Sequence, residues 1–174
     1  MHIVVGLGNP REEYARTRHN TGRMAVDFIA NKIQKLGHPM SKSTWTSNVQ
    51  VLVPDTFMNK TGISVARVVK SKKAAKKLIV IYDDLDLPLS AIKISYDRSS
   101  GGHKGVESII RALKTKEFIR IRIGIGRKKD IEKHILGNLS KSEIDVLKKV
   151  FKKVSEAVGT IVEEGKEVAM SRFN

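Results

Sequence analysis

The 174-residue chain contains no cysteine. That excludes a disulfide scaffold, a thiolate zinc site, an iron–sulfur cluster and a cysteine nucleophile. Long apolar runs are missing too. The longest cover only a few residues, so no segment is long enough for a transmembrane helix. The start, Met1-His2-Ile3-Val4-Val5-Gly6, has no basic region leading into a long apolar stretch, and reads as a buried strand rather than a secretion signal. Aromatic residues make up 5 %, too few for a broad base-stacking platform. Acidic residues are outnumbered, with 18 Asp and Glu against 33 Lys and Arg and a net charge of +15. Such an excess points to a polyanionic partner, nucleic acid or an anionic membrane surface; the alternative is a set of solvated lysine-rich helix faces. At 40 % apolar residues, the chain can bury its own core as one domain over 1–174. The expected location is the cytoplasm.

The hydrophobic pattern alternates between strand and helix periods. Val4-Val5-Gly6-Leu7-Gly8 reads as a buried strand running into a glycine-rich turn. Met24, Ala25, Phe28, Ile29 and Ile33 form a helical face over 22–35, residues 38–50 read as irregular, and Val51-Leu52-Val53 is a short strand closed by Pro54. A helix is expected after Asn59, with Val65, Val68 and Val69 inward and Lys70, Lys72 and Lys73 outward. Leu78–Tyr82 is a continuous buried strand, and Ile92, Ile94 and Tyr96 mark a half-exposed one. Val106, Ile109, Ile110 and Leu113 make a helical stripe after the flexible Ser99–Gly102 segment. In 119–125 four isoleucines alternate with Arg120 and Arg122, as in a strand of an antiparallel or mixed sheet. Ser140-x-x-Glu143 is a capping box. The helix it opens buries Leu147, Val150, Phe151, Val154, Val158 and Ile161, and turns Lys148, Lys149, Lys152 and Lys153 outward. The fold class is therefore α/β: a single domain with a twisted mixed β-sheet and helices on both faces.

Five segments offer chemistry. Gly6-Leu7-Gly8 lacks the third glycine of a dinucleotide fingerprint, since Arg11 stands there and Pro10 breaks the turn. The run Asn9–Asn20 follows a sheet strand, where open α/β sheets place ligands. In it His19 lies between Arg18 and Asn20; either neighbouring cations keep the imidazole neutral, as a base requires, or the ring merely hydrogen-bonds a turn. Asp83-Asp84-Leu85-Asp86 ends the strongest strand. One carboxylate could orient a histidine there, Asp84 and Asp86 suit turn capping, and no histidine stands at metal-ligand spacing. Gly101-Gly102-His103-Lys104-Gly105 is a phosphate cradle at a helix start or a plain flexible connection. Thr56-Phe57-Met58-Asn59 is a turn in which Asn59 suits a helix N-cap.

Taken in order, these segments resemble the bacterial-type peptidyl-tRNA hydrolase family. The resemblance runs through Ile3–Pro10, Thr17–Gly22, Pro54–Gly62, Asp83–Pro88, Gly101–His103, Phe118–Gly126 and Ala169–Asn174. It implies a compact monomer that hydrolyses the ester between a peptide and the 3′ ribose of tRNA, recycling tRNA from abandoned translation. Metal and organic cofactor are not expected, nor is a membrane partner; the basic surface would meet tRNA phosphates. The family's catalytic base matches His19 and its supporting carboxylate Asp83. Asn9 matches the asparagine that contacts the peptide backbone and helps separate peptidyl- from aminoacyl-tRNA. Tyr14, Phe57 and Asn59 match substrate-contact positions.

Three departures stand out. Lys104 replaces a substrate-binding asparagine, and a lysine could pair with the 3′-terminal phosphates. Arg11 replaces a common glycine, which carries a penalty if φ is positive there. The stretch between about 38 and 53 is shorter than in the family. The resemblance also takes in plant plastid splicing factors, so the alternative reading is a non-catalytic RNA-binding relative on the same fold. A third, a small-molecule esterase or nucleotide-binding enzyme on a similar sheet, has no motif of its own.

Overall fold

A computed structural model describes residues 1–36 and 45–174. Five strands form one sheet: β1 (His2–Gly6), β2 (Val49–Leu52), β3 (Leu78–Asp84), β4 (Ile92–Tyr96) and β5 (Ile119–Gly124). Their spatial order is β2-β1-β3-β5-β4, with β4 antiparallel to β5 and every other pair parallel. The longer helices are α1 (Thr21–Leu36), α2 (Thr61–Val68), α4 (Lys104–Leu113), α6 (Lys141–Glu164) and α7 (Lys166–Phe173), and the short ones are α3 (Lys72–Ala75) and α5 (Ile131–Leu136). No helix among the described residues is long and apolar enough to cross a membrane.

Strand side chains alternate between two cores. Val4, Ile79, Ile81, Ile119, Ile121 and Ile123 pack with α1, α6 and α7 on one face. Ile3, Val5, Leu78, Val80 and Tyr82 pack with α2 and α4 on the other. This explains the unbroken apolar run of β3: a central strand covered on both faces has no polar side. The mixed sheet with helices on both faces is as the pattern implied.

Several boundaries differ. The helix expected through Lys73 is broken, because Val69 leaves helical geometry and Ser71 opens α3 by accepting the Ala74 N–H at 3.1 Å. Trp45–Asn48 forms a 3₁₀ turn and Val49 and Gln50 already belong to β2, so 45–50 depart from the irregular reading of 38–50; 37–44 lie outside the described residues. Asn59 is not an N-cap. It lies inside the 3₁₀ turn Met58–Lys60, and α2 starts behind it with no side-chain cap. The arginine side of β5 is covered, for Arg120 is 1 % exposed. At the β4 edge, Asn174 accepts the Ile94 N–H at 2.6 Å and donates to the Ile94 carbonyl at 2.9 Å.

Candidate active site

The parallel strands β1 and β3 end side by side, and a histidine-bearing turn lies across their carboxyl ends. Close approach at Gly22 makes this possible: a Cβ there would collide with the Ile81 carbonyl oxygen. The turn Arg18–Asn20 is 3₁₀, so its side chains leave about 120° apart. Each finds a different anchor. Arg18 reaches away to Glu143, with Nη2 2.9 and 3.0 Å from the two carboxylate oxygens. Burial would raise the Glu143 pKa, but bonds from Ser140 and Arg18 outweigh it and hold it low. Asn20 accepts the Asn9 N–H at 2.9 Å and donates to the Asn9 carbonyl at 2.9 Å. His19 turns inward, with Nδ1 3.0 Å from Oδ1 and 2.9 Å from Oδ2 of Asp83.

The reason given above for a neutral His19 is thus corrected. The Arg18 guanidinium is spent on Glu143, and the group facing the imidazole is the Asp83 carboxylate. Asp83 is 4 % exposed. Burial alone would raise its pKa, yet His103 and His19 overcome this and hold it far below the ordinary carboxylate range. An ionised carboxylate only accepts, so the His19 proton sits on Nδ1 and the Nε2 lone pair is free.

A second histidine joins the same carboxylate. His103 Nε2 lies 3.0 Å from Asp83 Oδ1. Its other nitrogen, Nδ1, accepts the Val106 N–H at 3.4 Å and so N-caps α4. That cap fixes the tautomer, with the proton on Nε2 pointing at Asp83. Sequence reasoning missed this role. It left the Gly101–Gly105 segment as a phosphate cradle or a flexible connection, and histidine is not a usual N-cap residue.

The sequence shows no histidine at metal-ligand spacing from the acidic cluster, but the fold brings two to Asp83. The ligand atoms of His19, Asp83 and His103 lie within 4.8 Å of one another, a set of types able to hold a divalent metal. Their surroundings do not suit one. Metal-bound imidazoles donate their second N–H to an acceptor, whereas His103 Nδ1 faces a donor.

The triad opens into a cleft of about 1010 Å³. Asn9, His19, Phe57, Asn59, Asp83 and Lys104 all line it. The Asn9 Oδ1 accepts the Met58 N–H at 2.8 Å, which turns its Nδ2 donors toward the cleft. Tyr14 is not in the lining. It packs edge-on against Phe57 at 6.4 Å, and the Arg11 guanidinium lies 5.0 Å from the same ring. Arg11 has φ 90° and ψ 146°, so the chain keeps a turn that favours glycine. Lys104 is the first residue of α4 and exposed. Asp84 accepts the Asp86 N–H as a turn cap at 2.8 Å and also pairs with Arg122. Asp86 instead pairs with Arg127. The cleft-lining α5 had no signal in the pattern.

The sequence model of the family described as peptidyl-tRNA hydrolase matches residues 3–174. The chain belongs to this family. A peptidyl-tRNA hydrolase of Alkaliphilus oremlandii is 41 % identical over 184 residues, spanning the whole of both chains. One of Thermodesulfovibrio yellowstonii is 42 % identical over 188 residues, covering all of this chain and 99 % of the relative. Among solved structures, the peptidyl-tRNA hydrolase of Acinetobacter baumannii superposes with a TM-score of 0.84 at 28 % identity, covering 100 % of this chain and 94 % of the other. The family is one of hydrolases, and the resemblance drawn from the seven segments is borne out across the chain.

Proposed function

We propose that His19 is the general base of this peptidyl-tRNA hydrolase. Water adds to the carbonyl carbon of the peptidyl ester while His19 Nε2 takes its proton. The tetrahedral intermediate then collapses, and the protonated His19 returns that proton to the departing 3′ oxygen of the terminal ribose. Peptide and tRNA leave, and no metal enters the step. The observation that carries this reading is the contact of His19 Nδ1 with both Asp83 oxygens, which leaves Nε2 for water in the cleft. Asp83 stabilises the imidazolium that forms, and His103, beside His19, also holds Asp83 at Oδ1. The Nδ2 donors of Asn9 bind the peptide backbone, and Asn59 and Phe57 line the path of the substrate. Tyr14 acts at the rim by bracing Phe57. Lys104 brings a cation to the 3′-terminal phosphates in place of a neutral amide. The whole of 1–174 acts as one domain, as a monomer in the cytoplasm, and basic side chains meet tRNA phosphates.

Single-turnover hydrolysis of an N-acetylated aminoacyl-tRNA, run beside the unblocked form, tests this. Release is expected from the blocked substrate only, falling steeply with added salt. The His19→Ala protein should lose about 10²–10⁴-fold in rate while keeping its circular dichroism. Undiminished release by that variant sinks the assignment.

A further inference from the structure

Arg120 sits in the middle of β5 and is 1 % exposed. It stands opposite Val80 of β3 and Ser95 of β4, on the face toward α2 and α4. Its guanidinium lies 4.6 Å from the centroid of the Phe118 ring. Among the described residues, no carboxylate comes within ion-pair distance of it. Burial pushes its pKa down, with Tyr82 acting in the opposite direction. An unpaired buried cation opposes folding, so a neutral apolar residue would serve a purely packing role better.

What Arg120 holds is backbone. Its Nη1 donates to the Ser99 carbonyl at 2.5 Å, and its Nη2 donates to the Arg98 carbonyl. Those carbonyls begin the loop that delivers His103 and Lys104. The loop is poorly anchored otherwise. It passes through positive φ at Asp97, Gly101 and Gly102, and at both glycines a side chain would meet nothing within 4 Å. Its other bonds are internal: Gly102 N–H to Ser100 Oγ at 3.3 Å, and His103 N–H to the Ser100 carbonyl at 3.1 Å. Tyr82 carries a second connection, because its ring packs 4.8 Å from the His103 ring.

We propose that Arg120 is a positioning residue for hydrolysis: it staples the Arg98–Gly102 loop to the sheet and thereby sets His103 against Asp83. Although Arg120 stands in the wall of the cleft, both of its Nη groups are spent on the loop carbonyls, and it acts through them. The proposal rests on the reading of His103 as part of the catalytic constellation. It makes the loop, rather than the core, the element that answers to this side chain.

The test uses Arg120→Lys and Arg120→Met in the full chain. Amide exchange of the free protein should accelerate about tenfold or more at His103, Val106 and Glu107, with the amides of β1 unchanged. Unchanged exchange at those three, or a uniform acceleration that includes β1, overturns the proposal. On N-acetylated aminoacyl-tRNA, kcat should fall about tenfold or more, since misplacement by about an ångström is costly, while KM stays within about threefold. Combined with His103→Ala, the losses in kcat should be less than multiplicative, and multiplicative losses count against a shared route. If His103→Ala alone leaves kcat intact, the reading of His103 fails, and the exchange result still decides what Arg120 holds. Should Arg120→Met not fold, Arg120→Lys keeps the charge and carries both measurements.

Discussion

Two arms converge on Asp83, and they are held in opposite ways. The Asn9–Asn20 arm is braced at many points. Asn20 closes it with two bonds to the Asn9 backbone, Arg18 ties it to Glu143, and the Arg18 N–H reaches the Gly137 carbonyl at 3.1 Å while Arg16 accepts from Leu139 at 2.9 Å. The Arg98–Lys104 arm hangs from one buried guanidinium and two glycines. The lesson concerns precision. The proposed base, His19, belongs to the over-determined arm, where an error of about an ångström would cost on the order of 10²-fold in rate. The arm with Lys104 reaches exposed space, where an incoming polyanion needs room.

Substitutions in the two arms should therefore differ in effect. Asp83→Asn removes the charge common to both arms, puts an NH2 donor in place of one acceptor oxygen and lets His19 take the wrong tautomer; kcat should fall about 10²–10⁴-fold, and a loss under tenfold contradicts the scheme. The same variant has a pH signature. Because the folded state holds the Asp83 pKa below its ordinary value of about 3.9, its contribution to stability is full above that value and lost as pH falls toward the folded one. Urea midpoints measured through this acid range should fall less steeply with pH in Asp83→Asn than in the wild type. Asn20→Ala strikes the rigid arm alone. It leaves two groups of the Asn9 backbone unpaired and should cost about 2–4 kcal/mol by urea unfolding; a cost below about 1 kcal/mol means that the other braces suffice. Arg11→Gly relaxes a positive φ on the same arm, at the expense of the Phe57 contact. A gain of about 0.5–1 kcal/mol is expected, and a loss would mean that the ring contact outweighs the strain. Lys104→Asn, on the loose arm, should keep kcat/KM within about threefold, and a larger fall means that the site has been rebuilt around the lysine.

The same contrast separates what the sequence disclosed from what it hid. Residues 119–125 and 141–161 were legible because their periods are clean and their buried faces unmixed. His19, Asp83 and Asn9 were legible through motif order. Six of the seven candidate positions line one cleft, and Tyr14 stands behind Phe57. What stayed hidden are pairings between distant residues. Nothing local to Gly101–Gly105 tells that His103 will spend one nitrogen on a helix cap and the other on Asp83, 20 residues upstream. The alternation in 119–125 placed Arg120 opposite the isoleucines but gave no sign that it would be buried and bonded to loop carbonyls 21 and 22 residues upstream. The direction of Arg18 was misjudged because adjacency in sequence was taken for adjacency in space, and a 3₁₀ turn sends neighbours apart.

The side chain of Asn174 has a bearing on solubility. It fills both hydrogen-bonding groups of Ile94 on β4, the edge strand of the sheet. An open edge is a template on which a strand from another molecule can grow. A chain without the Asn174 side chain would present Ile94 unpaired, and the first sign of that loss would be self-association rather than a slower reaction.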